Sequence, residues 1–216
     1  MTKRTALTRD HIVLAAVRVA DRGGLSGVSM RTVGRELGVE AMSLYHHVAS
    51  KDDLLDELAD WIFTRIALPT PDQPWRPAMI GKATSARSTL TRHSWALGLI
   101  ESRRHPGRAL LRHHDAVLGC LRGNGFPVVL AIHAFSAVDA YVFGFVLSEL
   151  NLPMEPGESA EEFVKEIGLP THTYPHLAEM LAEQVIGQNF SYADEFDYGL
   201  ELILDGLEER LGRSDS

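Results

Sequence analysis

The stretch of sequence that decides the fold is residues 29–51, SMRTVGRELGVEAMSLYHHVASK. It predicts two short helices joined by a tight turn. Ser29 is a favourable N-cap for the first helix, and Gly38 provides the left-handed residue that ends it. A short helix needs burial to be stable, so the apolar positions of these two helices and their turn should be few and fixed. Those positions are Val33, Leu37, Val39, Leu44 and Val48.

The second of these helices leaves polar and aromatic side chains on its outer faces. They are Met42, Ser43, Tyr45, His46 and His47. The set is rich in hydrogen-bond donors and contains an aromatic hydroxyl. A helix needs such groups to enter the major groove of DNA and contact the phosphates at its rims. The periodicity alone is also compatible with an ordinary helical hairpin that has no DNA-binding role.

Three motifs in this stretch carry a resemblance to a known family: Leu-Gly-Val at 37–39, Ser-Leu-Tyr-His-His-Val at 43–48 and Ser-Lys at 50–51. They resemble the signature of the TetR family of bacterial transcriptional repressors, over roughly residues 7–63. A second resemblance, to the ligand-binding domain of tetracycline repressors, lies in HAFSAV (133–138) with Gly144 and Val146-Leu147, and in YGLELIL (198–204) with GLE (206–208). The resemblance implies an all-α protein with a DNA-binding head and a helical body.

The resemblance assigns the DNA contacts residue by residue. Arg31 matches a base-contacting arginine, whose fork suits the O6 and N7 atoms of guanine. Tyr45 and His47 match phosphate-contacting positions, and Lys51 matches a lysine that contacts the DNA backbone. Two alternatives remain: Tyr45 packs within the head, or Lys51 is a solvated surface charge. The full set implied for DNA binding is Arg31, Ala41, Met42, Ser43, Tyr45, His46, His47 and Lys51.

Three positions of the second helix, Ala41, Met42 and Ser43, match those that set the operator sequence in the family. Ala41 and Met42 replace polar readers, so the operator should differ from the tetracycline operator, with methyl-rich contacts to thymine. His46 stands where a tryptophan is more usual.

The charge is distributed unevenly along the chain, which carries a net charge of −8. Residues 1–51 hold eight Lys and Arg against four acids, whereas the remainder holds 13 against 25. A basic head on an acidic body favours binding to DNA in one orientation. Charge splits of this size also occur in proteins that do not bind DNA.

Beyond the head, helical periodicity continues to the end of the chain. The first helix should run over 8–22, and a capping box of Ser50 and Asp53 should start a fourth helix that reaches Leu68. Four prolines in 69–77 then mark a domain boundary between a head, 1–68, and a body, 78–216. The helices predicted for the body span 78–101, 107–123, 127–150, 175–188 and 194–211, with a short helix near 159–167 in a mobile loop (151–173).

The long apolar segment from Val128 to Leu147 raises the possibility of a membrane span. His133 and Asp139 lie inside it and would be costly at the centre of a bilayer, which favours a bundle without a membrane. The N-terminus carries no apolar signal region, and the single cysteine, Cys120, excludes an intramolecular disulfide. These features predict a cytoplasmic protein.

The resemblance also implies a small-molecule site in the body. The residues placed there are Trp95, Glu101, His105, Val117, Ile132, Phe135 and Asp139, and the alternative is that several are simply core residues. Because Glu101 replaces a metal-coordinating histidine, neither a metal nor tetracycline is expected, and the histidine spacings predict no cofactor. Asp139 lies in an apolar helix and should therefore pair with Arg103, Arg104, a histidine or a polar ligand.

Small residues predict a dimer interface. They form a row along one helix and recur on the last helix, so that another helix can approach closely. The alternative is a helix crossing within one subunit. The residues concerned are Ser136, Ala140, Gly144, Ser148, Gly199 and Gly206.

Together these features predict a ligand-responsive transcriptional repressor. It would bind a pseudo-palindromic double-stranded operator as a homodimer and be released by a small, largely apolar effector. The alternative is a helical small-molecule-binding protein or enzyme without a DNA-binding role. No catalytic motif supports an enzyme.

Overall fold

The computed structural model describes residues 6–103, 105–152, 159–188 and 190–214. Within these ranges the chain is all-α, with no strand. The predicted short helix near 159–167 is α9, whereas residues 153–158 of the predicted mobile loop lie outside the described ranges. The helices are α1 (Arg9–Gly23), α2 (Met30–Leu37), α3 (Ala41–Leu44), α4 (Lys51–Phe63), α5 (Trp75–Arg92), α6 (Ala96–Ser102), α7 (Arg108–Gly123), α8 (Val128–Leu150), α9 (Ala160–Ile167), α10 (Pro175–Gln184) and α11 (Glu195–Ser214).

The head is built from α1, α2, α3 and the first turns of α4. Helix α1 packs against α2 and α4, and α2 packs against α3. Thr8 caps α1 by accepting a hydrogen bond from the His11 N–H. Three of the apolar positions expected of the short helices, Val33, Leu44 and Val48, have no exposed surface, whereas the other two, Leu37 and Val39, are half-buried. Helix α3 has only four residues, and Leu44 is its buried contribution to the core of the head.

The start of α4 differs in one detail from the predicted capping box. Ser50 Oγ accepts a hydrogen bond from the Asp53 N–H at 3.0 Å, as expected. The Asp53 carboxylate, however, accepts from the Ala49 N–H at 3.0 Å and not from that of Ser50. The same carboxylate also receives the Arg9 guanidinium at 2.9 Å, which draws it towards α1. The predicted reciprocal box is therefore wrong in its second half.

Two predicted helices are longer than those in the structure. Helix α4 ends at Phe63 and not at Leu68, because the Thr64 hydroxyl binds a carbonyl of the last turn at 2.6 Å and the backbone then leaves the helical path. The predicted helix over 78–101 is broken at 93–95, which separates α5 from α6. Side chains in this break turn towards the head, as described below.

The body is a bundle of helices in which α8 has three neighbours. Helix α8 packs against α5, α7 and α11, and α7 also packs against α4. Helix α4 further contacts α6, so it belongs to the packing of both the head and the body. The largest fully buried side chains of the body are Met79, Leu90, Leu99, Leu121, Phe126, Phe196 and Leu200.

By length and composition α8 could cross a membrane, with a mean hydropathy of 1.8. Its inner face packs on three helices of the bundle, and its one acidic residue before the last turn, Asp139, pairs with Lys82 of α5. Only 28% of its most apolar window is buried within the single chain. Helix α8 is thus a bundle helix with a second apolar face that the chain itself does not cover.

Candidate functional site

The backbone of the head fixes how α2 and α3 meet. Ser29 and Thr32 form a reciprocal capping box at the start of α2, with hydrogen bonds of 3.1 and 2.9 Å. Gly38 ends α2 with φ of 66°, in the left-handed region. A Cβ on Gly34 would lie 2.9 Å from the Val39 carbonyl oxygen, closer than real Cβ atoms come. Sequence reasoning did not single out Gly34, although a glycine inside a helix is itself a signal of close packing.

The outer surface of the short helices carries the predicted DNA-contacting side chains. Met42 is 73% exposed and Tyr45 is 46% exposed, whereas Ala41 and Ser43 are half-buried. Because Tyr45 is this exposed, the structure does not place it in the core of the head. The side chains of the described head that are exposed and make neither a hydrogen bond nor an ion pair include Arg31, Tyr45, His46, His47 and Lys51.

Ion pairs within the head occupy some of its cations and leave others available to contact another molecule. Arg9 pairs with Asp53 and Glu57, while Arg18 and Arg22 both pair with Glu36. The hydrogen bonds from Arg18 and then Arg22 hold the pKa of Glu36 below its ordinary value. Among the described residues up to 51, the cations without an acidic partner are Arg31, Arg35 and Lys51.

A carboxylate on α4 ties the head to the body. Asp60 Oδ1 accepts hydrogen bonds from the backbone N–H groups of Ala109 and Leu110, at 2.7 and 3.2 Å. It thereby caps the N-terminus of α7, where the helix dipole favours a negative charge. A Cβ on Gly107 would lie 2.1 Å from Asp60 Oδ1, so only glycine permits this approach. We refer to this contact as the Asp60 clamp.

A second joint lies between α1 and the break that separates α5 from α6. Asp21 Oδ1 contacts His93 Nδ1 and accepts a hydrogen bond from Trp95 Nε1, both at 2.7 Å. The Trp61 ring meets the His93 ring edge-on, with centroids 5.1 Å apart. Trp95 therefore sits at the junction of head and body, and the structure does not bring it together with the other predicted effector residues.

The body interior contains an ion pair between α5 and α8. Asp139 pairs with Lys82, and not with Arg103, one of the partners expected from the sequence. Arg103 instead contacts Asp56 of α4 at 3.3 Å, and Arg104 lies outside the described residues. Lys82 is 2% exposed. Its place in the buried stripe of α5, four residues from Ala78, is the sequence signal that would have revealed it.

Two further predicted effector residues lie close to this ion pair. Lys82 Nζ is 5.9 Å from the centroid of the Phe135 ring. The ring centroids of Phe135 and His114 are 4.7 Å apart. Burial lowers the pKa of His114. Val117, one turn further along α7, is also buried. The structure thus places Val117, Phe135 and Asp139 in one region between α5, α7 and α8.

The remaining predicted effector residues are separated from that region. Ile132 is 50% exposed on the outer face of α8, so it does not line the interior. His105 is exposed and borders a cavity of about 100 Å³ between α4 and the α6–α7 connection. Glu101 lies in α6, and its side chain falls outside the part of the chain that the structure describes.

The predicted dimer residues fall into two groups. A Cβ on Gly144 would meet nothing within 4 Å, whereas one on Gly199 would lie 2.3 Å from the hydroxyl of Tyr141 in the same chain. Gly199 therefore serves the crossing of α8 and α11 inside one subunit. Gly206 is half-buried, and a Cβ on it would lie 3.2 Å from a guanidinium nitrogen of Arg210. Those of the predicted residues that are exposed are Ser136, Ala140, Gly144 and Ser148.

Chemically, this arrangement suits binding. The described residues contain no group of three His, Cys, Asp or Glu side chains placed to hold a metal ion. The head offers free donors and cations, and the body offers a buried polar cluster joined to the head through α4.

Comparison with known proteins places both halves of the chain. Residues 12–58 match the family model for bacterial regulatory proteins of the tetR family, and residues 68–211 match the model for the tetracyclin repressor-like C-terminal domain. The HTH-type transcriptional repressor DrrR1 of Streptomyces coeruleorubidus is 35% identical over 95% of this chain and 78% of its own length. An HTH-type transcriptional regulator of Saccharopolyspora erythraea is 38% identical over 95% of this chain and 86% of its own length.

A solved structure of similar fold contains a small molecule. It is the TetR family protein ActR of Streptomyces coelicolor in complex with actinorhodin. It superposes with a TM-score of 0.76 at 27% identity and covers 96% of this chain and 100% of its own.

Proposed function

Because the chain belongs to the TetR family of bacterial transcriptional regulators, we propose that it is a homodimeric repressor released from a pseudo-palindromic operator by a small, largely apolar effector. It is a DNA-binding regulator and not an enzyme. We place the DNA-binding domain in residues 1–68 and the effector and dimerisation domain in residues 78–216. A regulator that acts on bacterial DNA works in the cytoplasm.

The observation that carries the proposal is the free, exposed surface of α2 and α3. Arg31 has no partner within the described head and can offer its fork to guanine in the major groove. Tyr45, His47 and Lys51 are also exposed and can supply donors for phosphates. Met42 is the most exposed large apolar residue of the head and suits contact with a thymine methyl group.

His46, Ala41 and Ser43 complete the DNA-binding surface in this proposal. His46 is exposed, and Ala41 and Ser43 are half-buried beside Met42. Small side chains at these two positions let the helix approach the base edges closely. Operator preference should therefore depend on Arg31 of α2 and Met42 of α3 more than on Ala41 and Ser43.

Helices α8 and α11 pack against each other within the chain. Each also has an apolar face that the chain does not cover, and these faces support the dimer. Ile132 and Leu147 of α8 are 50% and 55% exposed, and Tyr198 and Leu202 of α11 are 67% and 58% exposed. Exposed apolar surfaces of this kind mark interaction sites. Two copies of this helix pair would cover each other as a four-helix interface, with Gly144 at a close crossing.

The proposed effector site lies between α5, α7 and α8. It is supported by the polar side chains Lys82, Asp139 and His114, which cluster there with the ring of Phe135. ActR, which is similar over nearly the whole chain, binds actinorhodin, and we infer that this chain also recognises a small organic molecule. Two contacts would carry the change from the body to the head: the Asp60 clamp and the Asp21–His93 joint. Movement of α7 or α6 would shift α4 and change the separation of the two α3 helices.

That separation decides binding, because recognition helices must lie about one turn of DNA, or a multiple of it, apart. An effector must favour the non-binding separation by a coupling free energy, typically about 1–3 kcal/mol. No contact residue of the head needs to change.

The experiment begins with selection of an operator from random duplexes by the full-length protein. Mobility shift with this operator and a panel of small molecules then measures specific binding and its release. Arg31→Ala should relax the operator preference at one base pair per half-site, whereas Arg92→Ala is the matched control, since Arg92 is an exposed arginine on α5 outside the head. Failure to enrich any sequence would contradict the proposal and favour a helical small-molecule-binding protein without a DNA-binding role.

A further inference from the structure

The interior of the body contains a histidine that is almost fully buried. His113 of α7 is 2% exposed, and neither Nδ1 nor Nε2 has a hydrogen-bond partner among the described residues. A buried polar group without a hydrogen-bond partner destabilises the fold, so such groups are uncommon unless another molecule satisfies them. His113 lies on the effector side of the bundle, where its charge interactions are with Lys82, Asp139 and His114.

The charge state of this region limits what it can bind. Lys82 and Asp139 form an ion pair and leave no net charge. Burial, and then the charge of Lys82, lower the pKa of His113 to about 4, while Asp139 acts in the opposite direction. The imidazole is therefore neutral at neutral pH and offers one N–H donor and one acceptor nitrogen. A charged ligand would enter without a counter-charge, whereas an uncharged hydroxyl group can both accept and donate.

Two aromatic side chains lie beside His113. Its ring centroid lies 5.5 Å from that of Phe63 and 6.2 Å from that of His114, which in turn meets Phe135. Flat rings are good partners for such walls. Because both nitrogens of His113 are inaccessible, a group that reaches them must displace a neighbouring side chain.

Phe63 is one of these neighbours and connects the region to the head. It is the last residue of α4, and it also lines the cavity of about 100 Å³ between α4 and the α6–α7 connection. Displacement of the Phe63 ring would therefore act directly on the helix that carries the Asp60 clamp.

We infer that the effector is an uncharged aromatic compound whose hydroxyl group hydrogen-bonds to His113 beside the Lys82–Asp139 pair. This inference rests on the proposed function and specifies the chemistry of its effector. His113 is then a specificity-determining residue, left unsatisfied in the ligand-free protein and satisfied by the ligand.

The test uses three probes that differ only in the polar group: 2-naphthol, naphthalene and 2-naphthoate. Calorimetry with the full-length protein should give binding of 2-naphthol about tenfold tighter than that of either other probe, as expected for a buried hydrogen bond. His113→Leu should remove this preference, and His113→Gln, which keeps a donor and an acceptor, should retain most of it. His172→Leu, at an exposed histidine, is the matched control.

Stability separates this role from a structural one. His113→Leu loses no hydrogen bond in the ligand-free protein, so its thermal unfolding temperature should equal or exceed that of the wild type. The ¹⁵N shifts of the His113 ring should change when 2-naphthol binds and not with naphthalene.

Four results would overturn the inference. Three concern the wild type: equal affinity for 2-naphthol and naphthalene, preference for 2-naphthoate, or no binding of any probe. The fourth is a preference for 2-naphthol that survives in His113→Leu, which would remove His113 from the site. Operator binding by the same samples is measured in parallel, so retention of operator binding with any of these results counts against the effector chemistry alone.

Discussion

The DNA-binding surface of the head and the polar cluster of the body use charged side chains in opposite ways. On α2 and at the start of α4, Arg31 and Lys51 are exposed and unpaired within the described head. In the body, Lys82 is buried and paired with Asp139. These two cations of the head are thus left for an external partner, whereas Lys82 and Asp139 of the body hold one conformation. Substitutions in the first should change binding without changing stability, and substitutions in the second should change stability first.

The largest effect should come from separating the two heads. Gly144→Leu places a bulky side chain on an exposed face where the single chain has open space, so the subunit should keep its fold. Loss of the dimer removes the gain from two linked half-sites, about 10²–10⁴-fold in operator affinity. Sedimentation and operator titration measure both quantities. Gly81→Leu, also exposed and unobstructed, is the control, and a stable Gly144→Leu dimer with wild-type affinity would contradict the assigned interface.

The next effect is on the ion pair of the body. Asp139→Leu leaves Lys82 buried without a counter-ion and should lower the free energy of unfolding by about 3 kcal/mol. The double variant Lys82→Met with Asp139→Leu removes both charges and should recover to within about 1 kcal/mol of the wild type. Denaturant unfolding measures both. A single variant as stable as the wild type would show that the pair does not determine the conformation of the body.

A smaller effect should appear where the two helices of the head cross. Gly34→Ala introduces a Cβ 2.9 Å from the Val39 carbonyl oxygen, and the backbone has to move. The cost should be about 1–3 kcal/mol in unfolding free energy, with loss of operator binding. Gly81→Ala in α5 meets no atom and should instead stabilise by about 0.5–1 kcal/mol. If both variants gain stability, the crossing is not as close as described.

Substitution of the exposed cations should have the smallest effect on the stability of the fold. It should nevertheless change DNA binding. Arg31→Ala should relax preference at one base pair per half-site by about 1–3 kcal/mol. Lys51→Ala should weaken binding to all sequences and lower the salt slope by about one. Both variants should unfold like the wild type. Equal loss of sequence preference in the two would contradict the separate roles given to them.

The sequence predicted the head better than the body, for a physical reason. Ser29, Gly38 and the apolar positions of α2 and α3 act through neighbours within a few residues, and the structure agrees with them. The contact of Gly34 with the Val39 carbonyl is equally local, and the sequence analysis missed it.

In the body the decisive contacts join distant parts of the chain. Three of these contacts depend on tertiary packing. Asp139 pairs with Lys82, Asp60 caps the N-terminus of α7, and Asp21 accepts a hydrogen bond from Trp95. No local pattern specifies them. The predicted helix over 78–101 fails for the same reason, since its break is held by a contact with α1.

The most direct test is the distance between the two heads in solution. A spin label on Leu14→Cys, an exposed site on α1, in a Cys120→Ala background reports this distance by pulsed dipolar spectroscopy. We predict one narrow distribution in the operator complex and a shift of several ångströms when a compound that releases the operator is added. In Asp60→Ala the shift should shrink, because the clamp between α4 and α7 is absent. An unchanged distance on release of the operator would contradict control of the heads by the body.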